Sequence, residues 1–296
     1  MFCRRVIRKS FFFVAIVIIL LLLYSCSFRG VVLKPSPKPI SYKEASLQEL
    51  LDLINERAQM INTLKASLGI DFRPTSSRNY KSCKGRLLLE KPEKIRLKGY
   101  RSLLPTFFLL VSDGNSYWLS IPSKKKAYFG QVEDKVVSED LTQEDIFLTP
   151  SHIIDSLLLD EIELNDSRKA FLEILPEMYI INIIEIDAEG DIFSERRIWV
   201  EREDLNIHQH QWFDSKGRLI SKVSFRQFKK VSGIKLPGLV FIHRPWEGVY
   251  IRLLFNNINL NAAIEPEAFK FSPPKELNII NLSHREAVNK IQILNK

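Results

Sequence analysis

The chain has 296 residues, 45% of them hydrophobic, and carries 43 Lys and Arg against 35 Asp and Glu for a net charge of +8. That length and apolar share exclude a disordered chain and leave ample material for a buried core. Arg4, Arg5, Arg8 and Lys9 sit in the first ten residues, and without them the charge is nearer +4. The other bases alternate with acids along the sequence, apart from Lys124-Lys125-Lys126, a pattern that excludes nucleic acid as the expected partner.

The N-terminus reads as a signal. Arg4-Arg5-Val6-Ile7-Arg8-Lys9 precedes an unbroken apolar run, Phe11–Leu23, and then Tyr24-Ser25-Cys26. A basic start, a short apolar stretch and a small residue before the break is the order of a secretory signal peptide. The run is shorter than the roughly 18–20 residues of a spanning helix. Leu23-Tyr24-Ser25-Cys26 resembles the bacterial lipobox, which implies cleavage before Cys26 and acyl chains on its thiol and new amine. Two or three chains anchor stably where one is marginal. The alternative is an uncleaved N-terminal anchor. Residues 1–25 are thus expected to be a lipoprotein signal peptide. Residues 26–43 would be the lipidated cysteine and a semi-rigid spacer, with Pro35, Pro37 and Pro39 favouring an extended chain. Of the other cysteines, Cys3 leaves with the signal, so only Cys83 remains in the folded part. No intramolecular disulfide is possible there, and Cys83 is expected to be a packed, inert thiol.

From Glu44 to Ser67, apolar residues recur at three- and four-residue steps (Leu47, Leu50, Leu51, Ile54, Ala58, Ile61, Leu64), which predicts a helix. Ser41 is its expected N-cap and Gly69 its stop. The period then becomes two. Strands are predicted at 82–90, 94–101, 106–112, 116–121 and 127–131, joined by turns such as Asp113-Gly114-Asn115. Residues 145–147 and 151–159 read as helical, and 167–175 as either helix or strand. Six further strands follow at 178–188, 196–201, 206–213, 219–228, 236–243 and 250–260. A helical turn is expected at 266–269, a weak helix at 283–294, and the tail begins at residue 272.

About eleven strands with no crossover helices make a mainly β (α+β) antiparallel meander, and a sheet of that size must curl or close. The expected architecture is a strongly curved, unclosed barrel with helices plugging its concave face. Several strands are apolar on both alternations, notably Leu87-Leu88-Leu89 and Phe107–Val111. Either dense packing on both faces or an apolar cavity under the helices accounts for that.

The order of these segments resembles the bacterial lipoprotein-carrier family of the periplasmic carrier LolA and the outer-membrane receptor LolB. The stretches that carry the resemblance are the amphipathic first helix, Gly85–Arg96, Ser112–Trp118, Asp214–Arg218, Gly233–Pro237 and Asn261–Phe269. The resemblance spans about Leu47 to Phe271, so residues 44–271 would be the lipid-binding domain. It implies binding of lipoprotein acyl chains, or of phospholipid, and sorting or insertion of lipoproteins at the outer membrane. An anchored member looks more like the receptor than like the soluble carrier, which would then be a partner. Ser27, not Asp, follows the lipobox cysteine, which by resemblance favours the outer membrane over the inner. Related folds also serve as envelope-stress sensors, and that interaction role is the alternative.

Acyl binding needs only apolar area, about 25 cal/mol per Å². Alternating strand positions give the candidate cavity lining: Leu87, Leu89, Ile95 and Leu97, then Phe107, Leu109 and Val111, then Ile184, Ile186, Phe225, Ile251 and Leu253. Ile154, Leu157 and Leu158 would form the lid. Leu103 and Leu104 either touch bilayer or acyl chain, as the receptor's apolar loop does, or pack under their own loop. Where the soluble carrier has an Arg that binds lid carbonyls, this chain has Lys91, a point charge without the planar fork.

No nucleophile elbow, P-loop or His-Glu-x-x-His helix is present, so no catalytic residue, cofactor or metal is expected. His208-Gln209-His210 would set two imidazoles on one strand face, read as surface histidines.

Overall fold

The computed structural model describes residues 41–101, 104–132, 150–157 and 161–282. The first helix, α1, is Leu47–Gln59. Strands β1 to β6 follow at Thr63–Pro74, Lys81–Glu90, Lys94–Arg101, Leu104–Asp113, Ser116–Ile121 and Lys126–Gln131. After a second helix, α2 (Pro150–Leu157), come β7 to β10 at Arg168–Ile174, Met178–Ile186, Ile192–Glu201 and Ile207–Phe213. The rest are β11 (Leu219–Val231), β12 (Ile234–Arg244), β13 (Val249–Leu260) and β14 (Asn278–Asn281).

All fourteen strands form one sheet, in the order β14-β6-β5-β4-β3-β2-β1-β13-β12-β11-β10-β9-β8-β7. It is two antiparallel meanders, β1–β6 and β7–β13, fused where β1 pairs with β13 from Leu64↔Leu260 to Pro74↔Val249. Only β14 runs parallel to its neighbour, β6. The two ends of the strand order, β14 and β7, are not paired to each other, so the sheet is unclosed.

Three strands account for the difference from eleven. The expected helix, which runs to Ser67, takes in the first part of β1. Ile61 and Leu64 fit helical spacing from Leu51 and Ile54, but Leu64, Ala66, Leu68, Ile70 and Phe72 alternate strictly, and all five are buried on one face. The helix stops at Gln59, and Gly69 lies inside the strand. The N-cap is Ser46, not Ser41. Its hydroxyl accepts from Glu49 N while the Glu49 carboxylate accepts from Ser46 N, a full capping box. The ambiguous 167–175 is the edge strand β7, and the expected tail contributes β14. The readings at 145–147 and 283–294 lie outside the described residues.

The core lies on the concave face. Paired residues across a ladder share a face, so Ala66, Leu87, Leu97, Leu110 and Leu119 form one continuous row across β1 to β5. Helix α1 lies over this face with Leu50, Leu51 and Ile54 fully buried, each contributing about 1.5–3 kcal/mol. Ile153 and Ile154 of α2 join the same cluster.

Polar pins hold α1 at both ends. At its start the Tyr179 hydroxyl accepts from Ala45 N (2.9 Å) and donates to Lys43 O (2.8 Å). Near its end the Asn55 amide bonds both backbone groups of Ile162. Arg57 donates to Leu205 O (2.7 Å) and Lys91 to Ala58 O (2.7 Å).

A second, smaller core lies on the outer face. Leu109 and Val111 point away from α1 and are buried with Phe269, where Arg96 donates to Ala268 O and ties the C-terminal segment down. Cys83 is buried, and burial pushes its thiol up to about 11, which makes it inert.

The unit Tyr42–Lys296 contains every core residue. Produced without residues 1–41, it is expected to unfold in one cooperative thermal transition by circular dichroism. A second prediction concerns Gly99, where a Cβ would meet the Phe108 ring at 2.3 Å. Gly99→Ala is therefore expected to destabilise by about 1–3 kcal/mol in urea unfolding.

Candidate functional site

Two apolar clefts remain between the concave face and what covers it. The first, about 70 Å³, is bounded by Ala58 and Ile61 beyond the end of α1, Leu157 of α2, and Ile207, Phe225 and Leu236 of the sheet. Arg57, Lys91 and Lys235 stand around it. Arg57 and Lys91 rest on backbone carbonyls, and Lys235 pairs with Asp204. Burial lowers the Arg57 pKa, with Asp204 and Glu56 acting against that shift. Lys235 holds the Asp204 carboxyl below its ordinary value, against a burial contribution that raises it. Three cations face two carboxylates, Asp204 and Glu56, so the rim is positive.

The second cleft, about 180 Å³, opens at the other end of the sheet among Ile70, Phe72, Phe107, Phe108, Leu119 and Ile251. Phe72 and Phe107 stack at 5.6 Å, and Lys81 and Lys124 lie at the mouth. An apolar cavity of about 150 Å³ takes one benzene ring. The second cleft therefore has room for a fragment of that size and the first for less. A whole acyl chain requires α1 or α2 to move off the sheet.

The expected lining residues separate by face. Leu87, Leu89, Ile95, Leu97, Ile251 and Leu253 lie in the concave core. Phe225 floors the first cleft, and Phe107 lines the second. Leu109 and Val111 belong to the outer core. Ile184 also faces outward: it pairs with Lys169, while its neighbour Ile183 pairs with Ala170 and is buried inside. Ile186 shares the parity of Ile184. Tyr179, Ile181 and Ile183 carry the inner face of β8 instead. Of the expected lid, Ile154 is buried in the core and Leu157 lines the first cleft. Leu104 begins β4. Cys26, Leu103, Leu158 and the side chain of Leu104 lie outside the described residues.

Sequence reading leaves out Ile70 and Phe72, because it assigns no strand before residue 82, although their alternation marks one. It also missed Arg57 and Lys235, for which the sequence carries no signal, since separate elements bring them together.

The two histidines of β10 do not share an exposed face. A register shift between Ile207 and Gln209 separates them. His208 bonds Glu201 at 2.8 Å at the rim. His210 is 1% exposed, stands edge-on to Trp212 at 4.6 Å, and neither of its ring nitrogens has a hydrogen-bond partner. Burial, reinforced by Arg196, holds its pKa well below the ordinary histidine value. Among the described residues no group of three His, Cys, Asp or Glu is arranged to hold a metal.

A family model described only as an uncharacterized protein matches residues 105–272, more than half of the chain, and the chain belongs to that family. No curated protein matches the sequence. Among solved structures, the LolA superfamily protein NE2245 from Nitrosomonas europaea superposes with a TM-score of 0.50 at 12% identity, covering 77% of this chain and 99% of that one. A DUF1329 family protein from Desulfovibrio piger gives 0.48 at 14% identity, with 77% and 98% covered. A domain from Vibrio parahaemolyticus, described as an outer membrane lipoprotein-sorting protein, gives 0.48 at 12% identity, with 74% and 95% covered. The first of these shows the fold to be LolA-like.

His210 yields a pH prediction. The folded state keeps it neutral while the unfolded chain binds a proton below a pH of about 6.5, so stability is full above that pH and falls below it. His243, lowered by burial, Lys222 and Arg73, acts in the same direction. Urea midpoints measured down to the acid side should decline from about pH 6.5, and His210→Leu should flatten the decline.

Proposed function

We propose that this chain is a lipid-anchored protein of the bacterial envelope that binds acyl chains between the concave sheet face and its helices. Its role is the sorting or insertion of lipoproteins at the outer membrane, with Cys26 as the lipidated residue. The observation that carries this reading is a wide apolar sheet face covered by short helices, with an apolar cleft at each end and basic side chains at both mouths. The arrangement suits an amphiphile with an apolar tail and an anionic head.

The LolA-like fold supports the reading. So does the geometry of α1, which is held by pins that can be exchanged without unfolding the sheet. Lys91 bonds the last turn of α1, and a lysine contact releases more readily than a bidentate guanidinium fork. Bound lipid would replace the buried faces of Leu50, Leu51 and Ile54 with its own methylenes.

The test is native mass spectrometry of Tyr42–Lys296 purified gently from a bacterial periplasm. An acylated species should co-purify and be lost in Phe225→Glu and Phe108→Glu, one substitution at each cleft. Leu254→Glu, on the exposed outer face, should retain it. Melting curves identify any variant that fails to fold. An apo mass in the wild type, with no uptake of added lipopeptide or phospholipid, would overturn the proposal in favour of a protein-interaction module.

A further inference from the structure

The outer face of the sheet, opposite the clefts, is strongly basic. Lys84, Arg86 and Lys98 project from β2 and β3, and all three are exposed. Arg86 and Lys98 are directly paired across the ladder. Like charges in that position destabilise a sheet, and nothing in the apolar core requires them there. Farther along the same face stand Arg73, Arg252, Lys222 and Arg226. Only Arg252 of these seven has an ion-pair partner among the described residues, Asp71 at 2.5 Å.

Aromatic rings hold several of these cations in place. The Arg73 guanidinium lies 4.2 Å from the Tyr250 ring centre and 5.2 Å from that of Tyr80. His243 stacks on Tyr250 at 4.0 Å with an interplanar angle of 7°. Together with Lys222 and Arg252 they line an open cleft of about 360 Å³ with no carboxylate in its lining, Arg252 alone being paired, with Asp71 at its edge. Arg226 lies over Phe241 in the same way. Rings that fix cationic groups reduce the ordering needed when an anion arrives.

The width of the basic region identifies its partner. From β3 across β2, β1, β13 and β12 to β11 it spans about 25 Å at the usual strand spacing. That is several times the charge-screening distance of about 8 Å in physiological salt. One small anion cannot satisfy an array of that extent, whereas a surface carrying many anionic groups can. The sequence places such a surface nearby, since the Phe11–Leu23 run and Cys26 read as a membrane-directing segment. We infer that the outer face of β1–β3 and β11–β13 docks on the anionic headgroups of a phospholipid bilayer, with the Arg73–Tyr250–Lys222 cleft taking a phosphate. This holds whether or not the clefts on the other face take acyl chains.

The test is co-sedimentation of Tyr42–Lys296 with phosphatidylcholine vesicles made with and without phosphatidylglycerol. Binding is expected only with phosphatidylglycerol and should fall steeply as salt is added. The combined variant Lys84→Glu, Arg86→Glu, Lys98→Glu should lose about a hundredfold or more in partitioning. A matched variant with the same net charge, Lys169→Glu, Lys216→Glu, Lys275→Glu, changes exposed residues outside these strands and should bind as the wild type does. Equal loss in both variants would overturn the inference by showing that net charge alone acts. So would equal binding to pure phosphatidylcholine. Capture by polyglutamate without binding to anionic vesicles would overturn it in favour of an acidic protein partner.

Discussion

The apolar face of the sheet must be covered, and the chain spends little helix on covering it. α1 has 13 residues, about 20 Å at 1.5 Å per residue, against fourteen strands. A flat sheet of that width would leave most of its buried rows in water. Curling brings both meanders within reach of one short helix, and the pins at its ends join them: Tyr179 on β8 holds the start, while Lys91, after β2, holds the end. The curvature, the core and the two clefts all follow from this shortage of cover.

A closed, well-packed face and a lipid-binding role are compatible when the cover is held by exchangeable contacts. Lifting α1 exposes about three large side chains, each costing about 1.5–3 kcal/mol. A long acyl chain laid in their place returns comparable area, so ligand binding can offset opening. On the proposed reading, entry would begin at the clefts, because cover is already incomplete there. The residues fixed deepest, such as Leu89 and Ile95, serve the packed state as core and would serve the opened state as lining.

The sequence made most strands legible, because alternation and turn chemistry are local. It failed where one stretch satisfied two periods. Leu64 completes a helical series with Ile61 and also begins a strand series with Ala66, and only pairing with β2 and β13 decides between them. Parity failed in the doubly apolar strands. In β4, Phe108 and Leu110 face α1 while Leu109 and Val111 face the C-terminal segment, and no local rule distinguishes the two sets. Charge misled in another way. Apart from Lys124-Lys125-Lys126, bases and acids alternate along the chain, so the sequence shows no cluster at this face. The pleat then sorts alternate residues onto opposite faces and gathers Lys84 and Arg86 of β2 beside Lys98 of β3.

The ladder between β1 and β13 has a consequence for biogenesis. Asn261, just beyond β13, bonds Met60 across a separation of 201 residues. At ribosomal speeds of about 5–20 residues per second, β1 waits on the order of ten seconds or more for its second neighbour. During that interval the first meander presents an unpaired strand edge, and α1 lacks the Tyr179 pin at its start. The nascent chain therefore has to be shielded until its last long strand emerges, and the first meander cannot mature as an independent piece.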